Sequence, residues 1–205
     1  MFAWLALFVG SSAAAPSTCE PYRGVQFRVD LAMITDAIVD GDFAEVRSRL
    51  GQVGERLPCS NQVVDHRLFA KFARYMALSH HTAQDDVGAT RWLLSSKVSA
   101  PKLPWNDAAF PPDHALRKLE RKLGWPAPGP LEHGLRPPRN GGIFLNGQLA
   151  LDASAPEGVP YLAQAFDRKG RRVDAWWQEG GTFPADYLAG SFRDVSRPRW
   201  WRPAT

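Results

Sequence analysis

The chain of 205 residues has only two cysteines, Cys19 and Cys59, and no Lys or Arg before Arg23. Two thiols alone cannot complete a tetrahedral metal site, and their spacing is not the C-x-x-C of a dithiol redox motif. Nowhere is there a run of about 18 apolar residues, which excludes an internal helical membrane span. No serine sits in G-x-S-x-G and no H-E-x-x-H occurs, so the common hydrolase signatures are missing. Gly141-Gly142 neither opens a helical pattern nor precedes Lys-Ser or Lys-Thr, which leaves phosphate cradling without support. The formal charge of +4, from 25 basic and 21 acidic residues, is too weak and too dispersed to mark a nucleic-acid binder. An apolar fraction of 44% with 22% charged residues excludes wholesale disorder.

What is present begins with an address. Residues 2–9 are an unbroken apolar run, followed by Gly10, Ser11, Ser12 and three alanines. That is the order of a secretory h-region and a small-residue cleavage zone, so residues 1–15 read as a signal peptide. As a helix, residues 2–15 would rise about 21 Å, short of a hydrocarbon core of about 30 Å. The expected location is the periplasm or the outer cell envelope. In an oxidising compartment two cysteines about 40 residues apart most simply form one disulfide, Cys19 to Cys59, contributing roughly 3–4 kcal/mol by loop closure. Pro16, Ser17 and Thr18 do not form a lipobox ahead of Cys19.

The rest of the chain divides by composition near residue 125. Before it, apolar residues recur at helical spacing. Leu31, Ile34 and Ile38 form one stripe. Phe43, Val46, Leu50, Val53 and Leu57 form a second, opened by Asp42 as cap and closed by Pro58. Ser60 or Asn61 is placed to cap a third helix carrying Val64, Leu68, Phe72, Tyr75 and Met76. A polar turn is expected over residues 79–86, then a helix with Val87, Leu93 and Leu94. A proline-rich loop over residues 100–112 leads to a short fifth helix, with Asp113 as cap, Leu116, Leu119 and Leu123 as stripe, and Gly124 as stop. Asp42 to Leu50 aligns with Asp86 to Leu94, sharing an acidic cap, an Arg and a Leu, as a weak internal repeat would.

After residue 137 the pattern changes to period two. Apolar runs flank Asn146-Gly147, a strong hairpin signal because both turn positions take positive φ. Residues 160–166 and 172–177 flank Asp167-Arg168-Lys169-Gly170 as a second hairpin. Four short strands are marginal alone, so this sheet is expected to close over a helix or over residues 182–188.

A cysteine ahead of a helix hairpin, a second cysteine in Leu57-Pro58-Cys59, the segment Pro111-Pro112-Asp113-His114-Ala115-Leu116 before the last helix, and a small β region after it resemble degenerate tetratricopeptide-like proteins of the bacterial cell envelope. The Trp, Leu-Gly and Tyr signature of the standard repeat is absent. The resemblance implies a binding or scaffolding role and transfers no catalytic residue. The expected fold class is α+β. Antiparallel helical hairpins occupy residues 19–124, a small antiparallel β region residues 137–190, and a flexible Arg/Trp-rich tail residues 191–205.

Chemistry is thinly signalled. His80-His81 with Asp85 and Asp86 is the one histidine–carboxylate cluster, read as a solvated turn between helices with a metal site as the alternative. His66, His114 and His133 are isolated. Asp30, Asp36, Asp40, Asp42 and Glu45 make the first hairpin acidic. Arg117, Lys118, Arg121, Lys122, Arg136 and Arg139 make the middle basic, suited to an acidic partner, a lipid surface or an anionic wall polymer. Possible partner contacts are Trp176 and Trp177, one as core and the other as an exposed platform, and Arg193, Arg197, Arg199, Trp200 and Trp201 in the tail. The expectation is a non-catalytic envelope protein, with no cofactor, metal or nucleic acid, that holds a protein or peptide on a helical-hairpin surface. The alternative is a module for peptidoglycan or carbohydrate, using Trp176, Trp177 and the basic middle.

Overall fold

The computed structural model describes residues 19–127, 134–151, 155–179, 183–189 and 197–202. The expected signal at residues 1–15, His133 and Arg193 lie outside these residues. The protein is α+β, with five helices and then antiparallel sheets among the described residues. No described helix is long and apolar enough to cross a membrane.

Helix α1 (Gly24–Val39) buries Phe27, Leu31, Ile34, Ala37 and Ile38. In α2 (Phe43–Arg56) the buried stripe is Val46, Leu50 and Val53. Asp42 caps α2 by accepting the Glu45 N–H at 3.0 Å. Pro58, which has no N–H to extend the helix, sits in a short 3-10 turn over Leu57–Cys59. The cap of α3 (His66–Thr82) is Asp65, which accepts from Arg67 and Leu68 N–H, not Ser60 or Asn61. The Ser60 hydroxyl is already engaged, donating to the Gln62 carbonyl. α3 lies at the centre of the bundle and packs on α1, α2, α4 and α5. Its buried surface is therefore broader than one stripe and includes Phe69, Ala70, Phe72, Ala73, Tyr75, Ala77 and Leu78, while Leu68 and Met76 are only partly buried.

The turn between the central helices is tighter than expected, because α3 runs to Thr82 and α4 (Asp86–Ser99) is capped by Asp85. That cap shifts the internal alignment by one residue. Val46 and Leu50 of α2 correspond in burial to Ala89 and Leu93 of α4, and Val87 is exposed. In α5 (Ala115–Lys122) the cap is His114 rather than Asp113, and the helix ends before Gly124.

The β region holds a four-stranded antiparallel sheet in the order β3-β2-β4-β5, from β2 (Gly142–Leu145), β3 (Gln148–Leu149), β4 (Pro160–Phe166) and β5 (Arg172–Glu179). Both expected hairpins are present. Phe144 pairs with Leu149 across a turn with φ of 51° at Asn146 and 83° at Gly147. Leu162 pairs with Trp177 in the longer hairpin. A second pair, β1 (Gly134–Leu135) with β6 (Leu188–Ala189), completes the described strands.

Strand alternation gives the sheet two faces, and both are covered. Leu162 and Trp177 join the helical core. Tyr161, Ala163, Ala165 and Trp176 join a second core with Ile143, Leu135 and Phe183. Buried polar groups tie sheet to helices. Gln164 accepts the Val64 N–H at 2.9 Å and donates to the Gln62 carbonyl at 3.2 Å. Asn146 accepts the Leu162 N–H at 2.8 Å and donates to the Ser99 hydroxyl at 3.0 Å. Ser95 donates to the Pro160 carbonyl at 2.7 Å.

The tail corrects an expectation. Residues from 196 onward were expected not to pack, yet Trp200 lies 5.7 Å from the Phe166 ring and 5.9 Å from Phe144, with Trp201 5.5 Å from Phe144. The Trp200 indole donates to the Asp167 carbonyl at 3.0 Å. Phe144 and Phe166 stand at the end of the sheet, where an aromatic shelf gains more from two indoles than from water. Arg197 and Arg199 remain exposed.

Gly147 tests the join between the two parts. It has positive φ, and a Cβ there would meet the Val64 carbonyl oxygen at 1.9 Å. Gly147→Ala is expected to lower unfolding stability by roughly 2–4 kcal/mol in urea titration, since neither backbone segment can yield cheaply.

Candidate functional site

A helix-hairpin protein that holds a peptide in its concave groove needs that groove open. Here the Trp177 side chain of β5 enters it. The indole lies 6.0 Å from the Phe69 ring, 6.2 Å from Phe72 and 6.0 Å from Trp92, and it donates to the Gly54 carbonyl at 2.9 Å. Its neighbour Trp176 points to the other face, is 1% exposed, and stacks on Tyr187 at 4.9 Å. One indole was expected in the core and the other as a platform. Both serve internal packing, Trp176 buried and Trp177 partly buried against the helical core. Tail residues Trp200 and Trp201 pack on Phe144 as described, with Arg197 5.9 Å over the Trp201 ring.

The histidine–carboxylate cluster joins the central helices. His80, near the end of α3, donates from Nδ1 to Asp85 at 2.8 Å, and the other Asp85 oxygen accepts the Gly88 N–H at 2.8 Å. The Gly88 amide and then His80 hold the Asp85 carboxyl below the usual range. His81 faces Asp86 at 3.5 Å. Adjacent helical residues diverge by about 100°, so the pair does not converge. Among the described residues no group of three or more His, Cys, Asp or Glu is placed to hold a metal ion. His114 accepts the Leu116 N–H at 3.1 Å and meets the Phe110 ring edge-on. His66 opens α3.

The acidic first hairpin also bonds internally. Asp30 accepts from the Tyr22 hydroxyl at 2.6 Å and from Arg56 at 3.2 Å, and Glu45 pairs with Arg49 at 2.7 Å. Arg74 is buried, donates to the Leu103 and Pro104 carbonyls and to Glu120, and lies 4.0 Å over the Trp105 ring. That arginine, which sequence reasoning missed, fastens the loop after α4 to α5. Desolvation by burial pulls its pKa down, and Glu120 opposes the shift.

Cys19 and Cys59 form the expected disulfide with Cα atoms 5.7 Å apart, within the ordinary range. Arg172 of β5 reaches across to it, donating to the Pro58 carbonyl with its guanidinium 3.7 Å from the Cys19 sulfur. Beside this junction is a recess of about 210 Å³ lined by Tyr22, Phe27, Leu57, Gln62, Val64 and Leu68, among others. Its walls mix polar and apolar groups, with Arg23 and Asp65 also among the lining residues.

The basic middle is partly neutralised, because Arg117 pairs with Asp107. Lys118, Arg121 and Lys122 of α5 stay exposed, as do Arg136 and Arg139. Just past α5 stands Trp125, 64% exposed, with the Lys97 ammonium 5.6 Å from its ring centre. Sequence reasoning passed over Trp125. Its signal was available in a tryptophan between Gly124 and Pro126, directly after a basic amphipathic helix.

Compared with protein-family models, curated proteins and solved structures, the chain matches none.

Acid sensitivity follows from His114. Desolvation by burial, then the nearby His81 and Arg117, holds its imidazole below the ordinary histidine value. The neutral ring stabilises the fold fully above the unfolded value near pH 6.5. That contribution is lost as the pH falls toward the lower folded value, since the unfolded chain takes up the proton first. His114→Asn replaces the capping ring nitrogen with an amide oxygen and removes the titration. Denaturation between about pH 7.5 and about pH 5 is expected to cost the variant less stability than the parent, while at pH 7.5 the two differ by no more than about 1 kcal/mol.

Proposed function

We propose that the chain is a non-catalytic binding or scaffold protein of the cell envelope, holding a protein or peptide partner on its outer helical surface rather than in a groove. Trp125 carries this reading: a large indole stands 64% exposed beside Lys97 and after the exposed cations Lys118, Arg121 and Lys122. Exposed tryptophan with basic neighbours fits an acidic partner segment, with the ring supplying area and the cations supplying steering. Export is part of the proposal and is supported by the apolar leader pattern and by the Cys19–Cys59 disulfide. The filling of the groove by Trp177 favours the outer surface as the contact.

The same surface supports a second reading, an anionic wall polymer, in place of the sugar platform expected at Trp176 and Trp177. A photo-crosslinking residue at Trp125 or Lys118 in intact cells separates the two. A discrete crosslinked protein band, lost with the label moved to exposed Glu157, is the expected result. Retention on purified peptidoglycan that high salt abolishes, with no protein band, selects the polymer instead. Neither outcome at any helical position sinks the binding role.

A further inference from the structure

The outer face of α1 is apolar where a solvated helix would be polar. Val25, Val29, Met33 and Val39 are 65%, 53%, 42% and 55% exposed. Ala32 is exposed between them, and Phe43, first residue of α2, is exposed just beyond Val39. Among the described residues nothing of this chain covers the stripe. Two charged residues interrupt it, Arg28 and Asp36, both exposed. Neither makes an ion pair or a side-chain hydrogen bond among the described residues, although Lys71 of α3 feels the Asp36 charge through space.

The spacing of five of these residues selects the occupant, with Val29 and Met33 flanking them on one side. At about 100° per residue, positions 25, 28, 32, 36 and 39 fall within an arc of about 80° centred on residue 32. Along the helix axis these five read Val, Arg, Ala, Asp, Val. Reversing the helix about Ala32 exchanges Val25 with Val39 and Arg28 with Asp36. A copy of α1 laid antiparallel thus meets valine with valine at both ends, arginine with aspartate at two levels, and alanine with alanine where the backbones come closest. A parallel copy would set like charges side by side.

We infer that α1 is a self-association face, pairing antiparallel with α1 of a second copy about a two-fold axis at Ala32, with Arg28 of each chain facing Asp36 of the other. The pattern is isologous, as a two-fold interface requires. The face is one helix of 16 residues, about 24 Å long. A single helix face of this length is short against the roughly 800 Å² per partner of a standard interface, and a weak, micromolar association is the expected result.

Charge exchange tests the pairing. Sedimentation equilibrium of the oxidised chain from about 1 to about 100 µM at low salt should show monomer and dimer. Arg28→Glu and Asp36→Arg each place like charges opposite one another twice, and each should weaken the dimer by about tenfold or more. The double variant restores opposite charges and should recover to within about threefold of the parent. An equimolar mixture of the two single variants should also recover, as a heterodimer with both pairs intact. These positions are exposed, and unchanged thermal melting confirms the fold. A parent chain that stays monomeric throughout, as it would if residues 1–18, another protein or a membrane covered α1, overturns the inference. So do single variants that associate like the parent, or a mixture that fails to recover.

Discussion

The Trp177 indole between β5 and the helices is the contact on which the rest of the structure depends. Four short strands are marginal by themselves, and a hairpin bundle with an empty groove would expose Phe69, Phe72 and Trp92. One side chain solves both problems. It closes an aromatic cluster at centroid distances near 6 Å and satisfies its own N–H on the Gly54 carbonyl. Around it, Gln164 and Asn146 fix the registry. Each is buried and bonds backbone or hydroxyl groups in the helical half. In a low-dielectric seam a slipped strand would orphan these groups at a cost of several kcal/mol. Apolar area supplies the attraction, and the amides select one arrangement.

The disulfide works at the edge of that seam. It ties the segment before α1 to the junction after α2, and Arg172 brings β5 to the same place. Three distant pieces of chain therefore meet at one covalent point. Away from this junction, Trp125 and the apolar stripe of α1 remain exposed. These two surfaces differ in character. One is aromatic and basic, and the other is apolar with balanced charge.

Much of this was legible in the sequence, and the misses share a cause. The stripe of α2 was readable because the helix packs on one side. The surface of α3 was not, because a central helix buries side chains nearly all round and loses its single-stripe pattern. Asn146-Gly147 announced its turn through backbone sterics, a local property. That the same asparagine would bond Ser99 of α4 depends on tertiary placement and leaves no local trace. Caps were misplaced by one residue at Asp85 and His114 because adjacent polar residues offer equivalent oxygens or nitrogens until packing chooses. The tail reads as flexible in the sequence, while Phe144 and Phe166, far away along the chain, determine that Trp200 packs. Trp177 was recognised as half of an alternating pair, but the residue it would meet could not be read from β5 alone. The candidate site was the least legible part: the titratable residues that attract attention in a sequence, His80, Asp85 and His114, serve as helix caps and turn clasps.

The central claim is that helices and sheet form one cooperative structure through the Trp177 seam. Native-state hydrogen exchange measures this directly at the Val64 and Leu162 amides, whose acceptors are Gln164 and Asn146. If the seam holds the fold together, both amides exchange only through global unfolding, with the same opening free energy and denaturant dependence as the core amides of α3. Exchange of Leu162 and the β4–β5 ladder through a cheaper opening that leaves α3 protected would show two independent parts and contradict the account.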